Sequence, residues 1–178
     1  TNASRTLLMD IRNISWSDDM CNLLNIPIEK LPEIKNSADD FGETSLFGGK
    51  IKISGVAGDQ QAALFGQGCF EEGEAKSTYG TGCFMMLNTG SKIKFSKSNL
   101  LTTVGYKIDG KPTYALEGSI FMAGASVQWL RDNLEFFNTA PEIENSAKKS
   151  NKNSNVFFIP AFTGLGAPYW DPEARGAI

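Results

Sequence analysis

Three short groups of residues in this chain have types and spacings suited to phosphoryl transfer onto an alcohol. Asp59 follows Gly58 and opens DQQAALFGQ, which reads as a helix, so its carboxylate falls in the first turn where backbone amides favour the ionised form. A fixed carboxylate there can take the proton from an alcohol as it attacks a phosphoryl group, and the neighbouring Gln60 can orient substrate hydroxyls. Gly80-Thr81-Gly82 joins the two β-like halves of KSTYGTGCFMMLNTG. Small residues let a backbone approach a phosphate closely enough for its amides to bind the oxygens, and Thr81 adds a hydroxyl donor. Gly124 and Gln128 stand one helical turn apart in MAGASVQW, where a glycine lets a flat base or ribose lie against the helix and Gln128 can hydrogen-bond it.

Each group also has a purely structural reading. Asp59 can simply start a helix, a G-x-G turn closes ordinary hairpins, and a glycine in a helix permits close packing. Phe84, Trp129, Tyr169 and Trp170 equally suit core or loop packing. On position alone these readings stand beside the chemical ones. Gly48-Gly49-Lys50 is not a P-loop, because the first glycine at the required spacing and the Ser or Thr after the lysine are both missing.

Composition narrows the chemistry further. The 178 residues contain no histidine, so Ser/His/Asp and Cys/His nucleophilic sites and His-containing zinc sites cannot be built from them. Cys21, Cys69 and Cys83 form no CxxC pair and are odd in number, which predicts free thiols and a reducing, cytoplasmic setting. The sequons at Asn2 and Asn13 are read as accidental on the same ground. A net charge of -3 supplies no excess positive field, so nucleic acid and anionic membrane are not expected partners. No apolar run approaches the length needed to cross a bilayer. With 41% hydrophobic residues the chain should fold as one ordinary domain or parts of two.

The elements that must position these groups are partly marked. Ser15 to Asp19 reads as a helix entry followed by a short helix through about Met20 to Asn25. IPIEKLPEI reads as a packed turn with its Ile and Leu inward, and Lys50 to Ser54 alternates like a half-buried strand. TVGYKI and PTYALEG flank Asp109-Gly110, a hairpin signal. Phe121 to Phe137 repeats apolar residues at helical spacing, PEIENSAKKSNKNSN reads as a solvated linker, and VFFIPAF as a short apolar strand. The glycine- and proline-rich TGLGAPYWDPEARGAI reads as a loop.

Taken together, TNASRT, ISGVAGDQQAALFGQG, YGTGCFMMLNTG, ALEGSIFMAGASVQWLRD and PAFTGLGAPYWDPEARG resemble the glycerol kinases of the FGGY carbohydrate kinase family, in order and over almost the whole chain. GTGCFMMLNTG and GLGAPYWDP resemble that branch rather than the pentulose and hexulose kinases. The resemblance implies an α/β, ribonuclease H-like (actin-like ATPase) fold, with parts of two domains around an active-site cleft. Residues 1-68 would complete the N-terminal domain and 69-178 would begin the C-terminal one.

It further implies ATP-dependent phosphorylation of glycerol to glycerol 3-phosphate, with Asp59 as base, Gln60 holding the polyol and Phe84 packing on its carbon chain. Thr81, with Gly80 and Gly82, would contact the ATP phosphates, and Gly124 and Gln128 would lie at the nucleotide. Glycerol and MgATP are the implied partners, within a homo-oligomer. No residue here is expected to ligate a metal directly; a magnesium contact at Asp59 through water is compatible with the resemblance. The family's first phosphate turn, metal-binding Asp and remaining glycerol contacts precede Thr1, and a later nucleotide segment follows Ile178, so the chain is expected to be a central fragment, inactive by itself. LFGGKIK is shorter than the stretch that binds a sugar-bisphosphate inhibitor in some bacterial members and lacks their arginine, so that regulation is not expected. The competing readings are a family kinase for another polyol or ketose, and a non-catalytic actin-like nucleotide-binding module.

Overall fold

The computed structural model describes residues 1-178. In chain order the elements are β1 (Met9–Asp10), β2 (Ser15–Trp16), α1 (Asp18–Leu23), β3 (Glu43–Thr44), β4 (Ile51–Lys52), α2 (Asp59–Gly66), β5 (Ala75–Tyr79), β6 (Cys83–Gly90), β7 (Leu101–Ile108), β8 (Lys111–Ile120), α3 (Gly124–Asp132) and α4 (Glu142–Lys149). β1 pairs with β2 and β3 with β4, both antiparallel, while a four-stranded sheet has the order β5-β6-β8-β7. The chain divides into two compact units, Thr1–Lys76 with Met86–Glu117, and Ser77–Met85 with Gly118–Ile178.

In the first unit α2 lies against β7, and buried Leu64 joins Cys69, Met86 and Ala115 in one apolar cluster. The loop leaving α2 is held there by a satisfied buried polar group. Asn88 donates from its side chain to the Cys69 carbonyl at 2.9 Å and accepts from the Gly90 amide at 2.8 Å. Phe65 meets Phe70 and Tyr106 edge-on, with ring centroids 5.0 and 5.4 Å apart. Asp109 and Gly110, at φ 49° and 75°, close the β7-β8 hairpin as their dipeptide predicts. Ser17 caps α1 by accepting from the Met20 amide at 3.3 Å.

The N-terminal TNASRT segment is tied to the β7-β8 hairpin by polar contacts. The Ser4 and Thr103 hydroxyls are 3.2 Å apart, and Arg5 donates from Nη2 to Glu117 Oε1 at 2.9 Å. The Glu117 side chain is only 3% exposed, and its Oε2 has no hydrogen-bond partner. Arg5 is therefore the group that keeps this buried carboxylate tolerable. Arg5→Ala is expected to destabilise the fold by about 2–4 kcal/mol, read as a lower urea midpoint, because it strands a buried charge. A shift as small as that of an exposed surface pair would contradict this.

The second unit is built around aromatic contacts. Trp129 on α3 stacks on Phe158 at 5.6 Å and meets Phe162 at 4.9 Å. These contacts explain why VFFIPAF is not a strand: Phe158 and Phe162 turn onto Trp129, Pro160 offers no amide, and only isolated bridges, Ile159 to Ala177 and Phe162 to Gly164, remain. Val156 and Phe157 are 72% and 74% exposed.

Four further expectations differ from the structure. The 50-54 stretch forms only the two-residue β4, exposed on both residues, and Ile28 is exposed rather than inward. The helix expected over 121-137 is confined to Gly124–Asp132: its start is set by the Gly80-Thr81-Gly82 turn, and Glu135 beyond its end has φ 53°. The expected linker contains α4. Just ahead of it, Glu142 accepts from the Thr139 hydroxyl at 2.8 Å and the Asn138 amide at 3.1 Å, which ties the approach segment to the first helical residue.

Those two bonds, the Thr139 hydroxyl first, hold the Glu142 carboxyl below its ordinary value of 4.5. A depressed carboxyl stabilises above the unfolded value and loses that contribution as pH falls through the folded one. Amide protection in α4 is therefore expected to drop below pH 4.5, and Thr139→Ala should move the drop to higher pH. Protection that ignores pH in this range would contradict a role for these two bonds in holding the start of α4.

Candidate active site

Asp59 is the first residue of α2, behind an extended N-cap at Gly58 (φ −63°, ψ 150°). The Gly58 amide donates to Thr1 Oγ1 at 2.9 Å. A Cβ at position 58 would lie 2.6 Å from Gln61 Oε1, so a glycine lets the buried Gln61 side chain fold back beside the helix start. Asp59 itself is exposed, in the first turn of α2. Gln60 is half-buried and donates from Nε2 to Asp59 Oδ2 at 3.2 Å. Its amide oxygen in turn accepts from the Lys76 ammonium, on β5. Lys76 was not among the residues singled out from sequence, because an isolated lysine in a short strand reads as solvent-facing. The one available signal is its position, inward in the alternation of β5.

The second group lies in the other unit. The Gly80 amide donates to the Gly82 carbonyl at 2.8 Å, closing the turn between β5 and β6. The turn then caps α3. Gly124 donates to the Gly80 carbonyl at 2.9 Å, and Ala123 and Ala125 donate to the Thr81 carbonyl at 2.8 and 3.2 Å. A Cβ on Gly124 would fall 2.6 Å from the Gly80 oxygen, and one on Gly82 would fall 2.6 Å from the Ile120 oxygen. The requirement for glycine at 124 is thus visible as close packing of the turn on the helix. Turn and helix, expected separately to bind a nucleotide, form one hydrogen-bonded body.

This packing has a consequence for ligand binding. In a planar trans peptide the N–H points opposite to the C=O. With the Gly80 and Thr81 carbonyls directed at α3, the amides of Thr81 and Gly82 point away from it. The exposed Thr81 hydroxyl completes a donor set of the kind that binds phosphate oxygens. Phe84 follows on β6 and is half-buried, and Gln128, one turn beyond Gly124, is exposed. Asp59 and Gln60 belong to the first unit, and Gly80, Thr81, Gly82, Phe84, Gly124 and Gln128 to the second.

Residues 1-66 match the N-terminal domain, and residues 75-178 the C-terminal domain, of the FGGY family of carbohydrate kinases. The chain belongs to this family. It is 61% identical over its whole length to a glycerol kinase of Alteromonas mediterranea and 55% identical to one of Staphylococcus haemolyticus. It spans 36% of the length of either relative. A solved structure of Plasmodium falciparum glycerol kinase with ADP matches 99% of the chain at 46% identity and a TM-score of 0.87, with 36% of that protein covered. A ligand-bound xylulose kinase of Lactobacillus acidophilus matches 96% of the chain, and 36% of its own length, at 22% identity and a TM-score of 0.80, which shows a shared fold. The fold is the α/β, ribonuclease H-like (actin-like ATPase) type of these FGGY kinases. No helix is long and apolar enough to cross a membrane.

Proposed function

We propose that the protein to which this chain belongs is a glycerol kinase, transferring the terminal phosphoryl group of MgATP to glycerol to give glycerol 3-phosphate and ADP. The observation that carries the reading is identity of 55% to 61% to glycerol kinases along the full chain, against 22% to the xylulose kinase. The site geometry supports it: an exposed carboxylate at a helix start, and a turn with two amides and a hydroxyl facing away from its supporting helix.

In this reading Asp59 accepts the proton of a glycerol hydroxyl as that oxygen bonds to the γ-phosphorus. The bond from phosphorus to the β,γ-bridging oxygen breaks, and ADP leaves. Gln60 orients the polyol and Phe84 packs on its carbon atoms. Thr81 with Gly80 and Gly82 holds phosphate oxygens, and Gly124 and Gln128 adjoin the nucleotide. Magnesium carried with the nucleotide would supply neutralisation of charge on the phosphate oxygens. Asp59 is the residue of this chain that would meet such an ion, through water. The division between the family's two domains falls at residues 68 and 69 in this reading. A cytoplasmic homo-oligomer completes it, with neither nucleic acid nor membrane as a partner.

Coupled ADP formation by the complete parent chain, with glycerol set against pentuloses, hexuloses and other polyols, tests the substrate. Glycerol is expected to give the highest kcat/KM. Preference for a ketose would replace the substrate and keep the chemistry, and nucleotide binding without turnover on any of them would point to a non-catalytic module.

A further inference from the structure

We propose that Lys76 is a positioning residue for the base, setting the direction of the row Lys76–Gln60–Asp59; this rests on the kinase reading above. All three residues lie in the same compact unit. Lys76 is 5% exposed, on the inward side of β5, and its ammonium donates to Gln60 Oε1. Gln60 Nε2 then donates to Asp59 Oδ2 at 3.2 Å.

The chemistry of the three groups fixes this polarity. An ammonium has donors only, a carboxylate has acceptors only, and a primary amide has one end of each kind. Between a lysine and an aspartate the amide has one satisfied orientation. Without the lysine it can rotate, and the flipped state places the amide oxygen against the carboxylate. Lys76 therefore selects the orientation in which Gln60 occupies Oδ2 and leaves Oδ1 to receive the substrate proton. Held this way, the base keeps one rotamer instead of several, and orientation of this kind contributes to the rate rather than to nucleotide affinity. A buried ammonium is costly where an apolar side chain would fill the same space, so a directing role gives the charge a function.

The test is a double-mutant cycle in the complete parent chain. Gln60→Leu and Lys76→Met are each expected to lower kcat with glycerol by about 10- to 100-fold, with KM for ATP within about 3-fold. Because both act through one contact, the double variant should lose no more than the worse single one. Gln60→Glu is the second probe, on a half-buried position independent of whether Lys76→Met folds. It keeps an acceptor for Lys76 but cannot donate to Asp59, so it should retain the wild-type Tm while losing kcat by a similar factor. Losses that multiply in the double variant, or Gln60→Glu with wild-type kcat, would overturn the inference while Asp59→Asn still abolished turnover. A parent chain with no glycerol-dependent turnover would overturn the kinase reading and the inference with it.

Discussion

Asp59→Asn in the complete parent chain is expected to lower glycerol-dependent kcat by about 10²- to 10⁴-fold, the range over which general bases contribute. The substitution is close to isosteric, so the helix start, the Gly58 cap and the Thr1 contact should survive. Gln60 Nε2 can still donate to the Asn oxygen in place of Oδ2, which keeps the neighbouring amide where it is. What disappears is the acceptor for the alcohol proton. KM for ATP should change little, because the proposed phosphate donors belong to the turn at Thr81 and not to α2. An equal loss of nucleotide affinity would mean that Asp59 mainly holds the magnesium, and an undiminished kcat would remove it from the mechanism.

Gly124→Ala is expected to act on the other substrate. Its new methyl group would sit 2.6 Å from the Gly80 oxygen, a backbone atom that cannot rotate away. Either the Gly80-Thr81-Gly82 turn lifts from α3 or the helix start shifts, and the hydrogen bonds from Gly124 and Ala125 weaken in both cases. Overpacking of this kind costs about 1–3 kcal/mol. Since the same turn presents the proposed phosphate donors, kcat/KM for ATP should fall by about 10- to 100-fold while the glycerol preference stays unchanged. A variant with normal ATP kinetics would show that the turn tolerates displacement and does not position phosphate.

Local signals were legible wherever the cause is local. The Gly58-Asp59 helix start, the Ser17 cap and the Asp109-Gly110 hairpin each depend on neighbours within a few residues, and the structure places all of them as read. α4 has no side-chain N-cap to announce it, and its Lys, Asn and Ser residues read as a solvated linker. Other features depend on partners far away in the chain. The late start of α3 is imposed by carbonyls more than forty residues earlier, and the failure of VFFIPAF to form a strand comes from Trp129. No periodicity within either segment encodes those partners. Lys76 is the same kind of case: its strand predicts a side but not that Gln60, 16 residues earlier, waits there. The family resemblance linked Asp59 to Thr81 through motifs in order, a connection that spacing alone does not supply.

The most direct test follows the transferred group itself, by incubating the complete parent chain with ATP labelled at the γ-phosphorus, magnesium and glycerol. The account predicts glycerol-dependent appearance of the label in glycerol 3-phosphate, at a rate reduced in Asp59→Asn. Label released only as inorganic phosphate, or retained in ATP despite nucleotide binding, would contradict it.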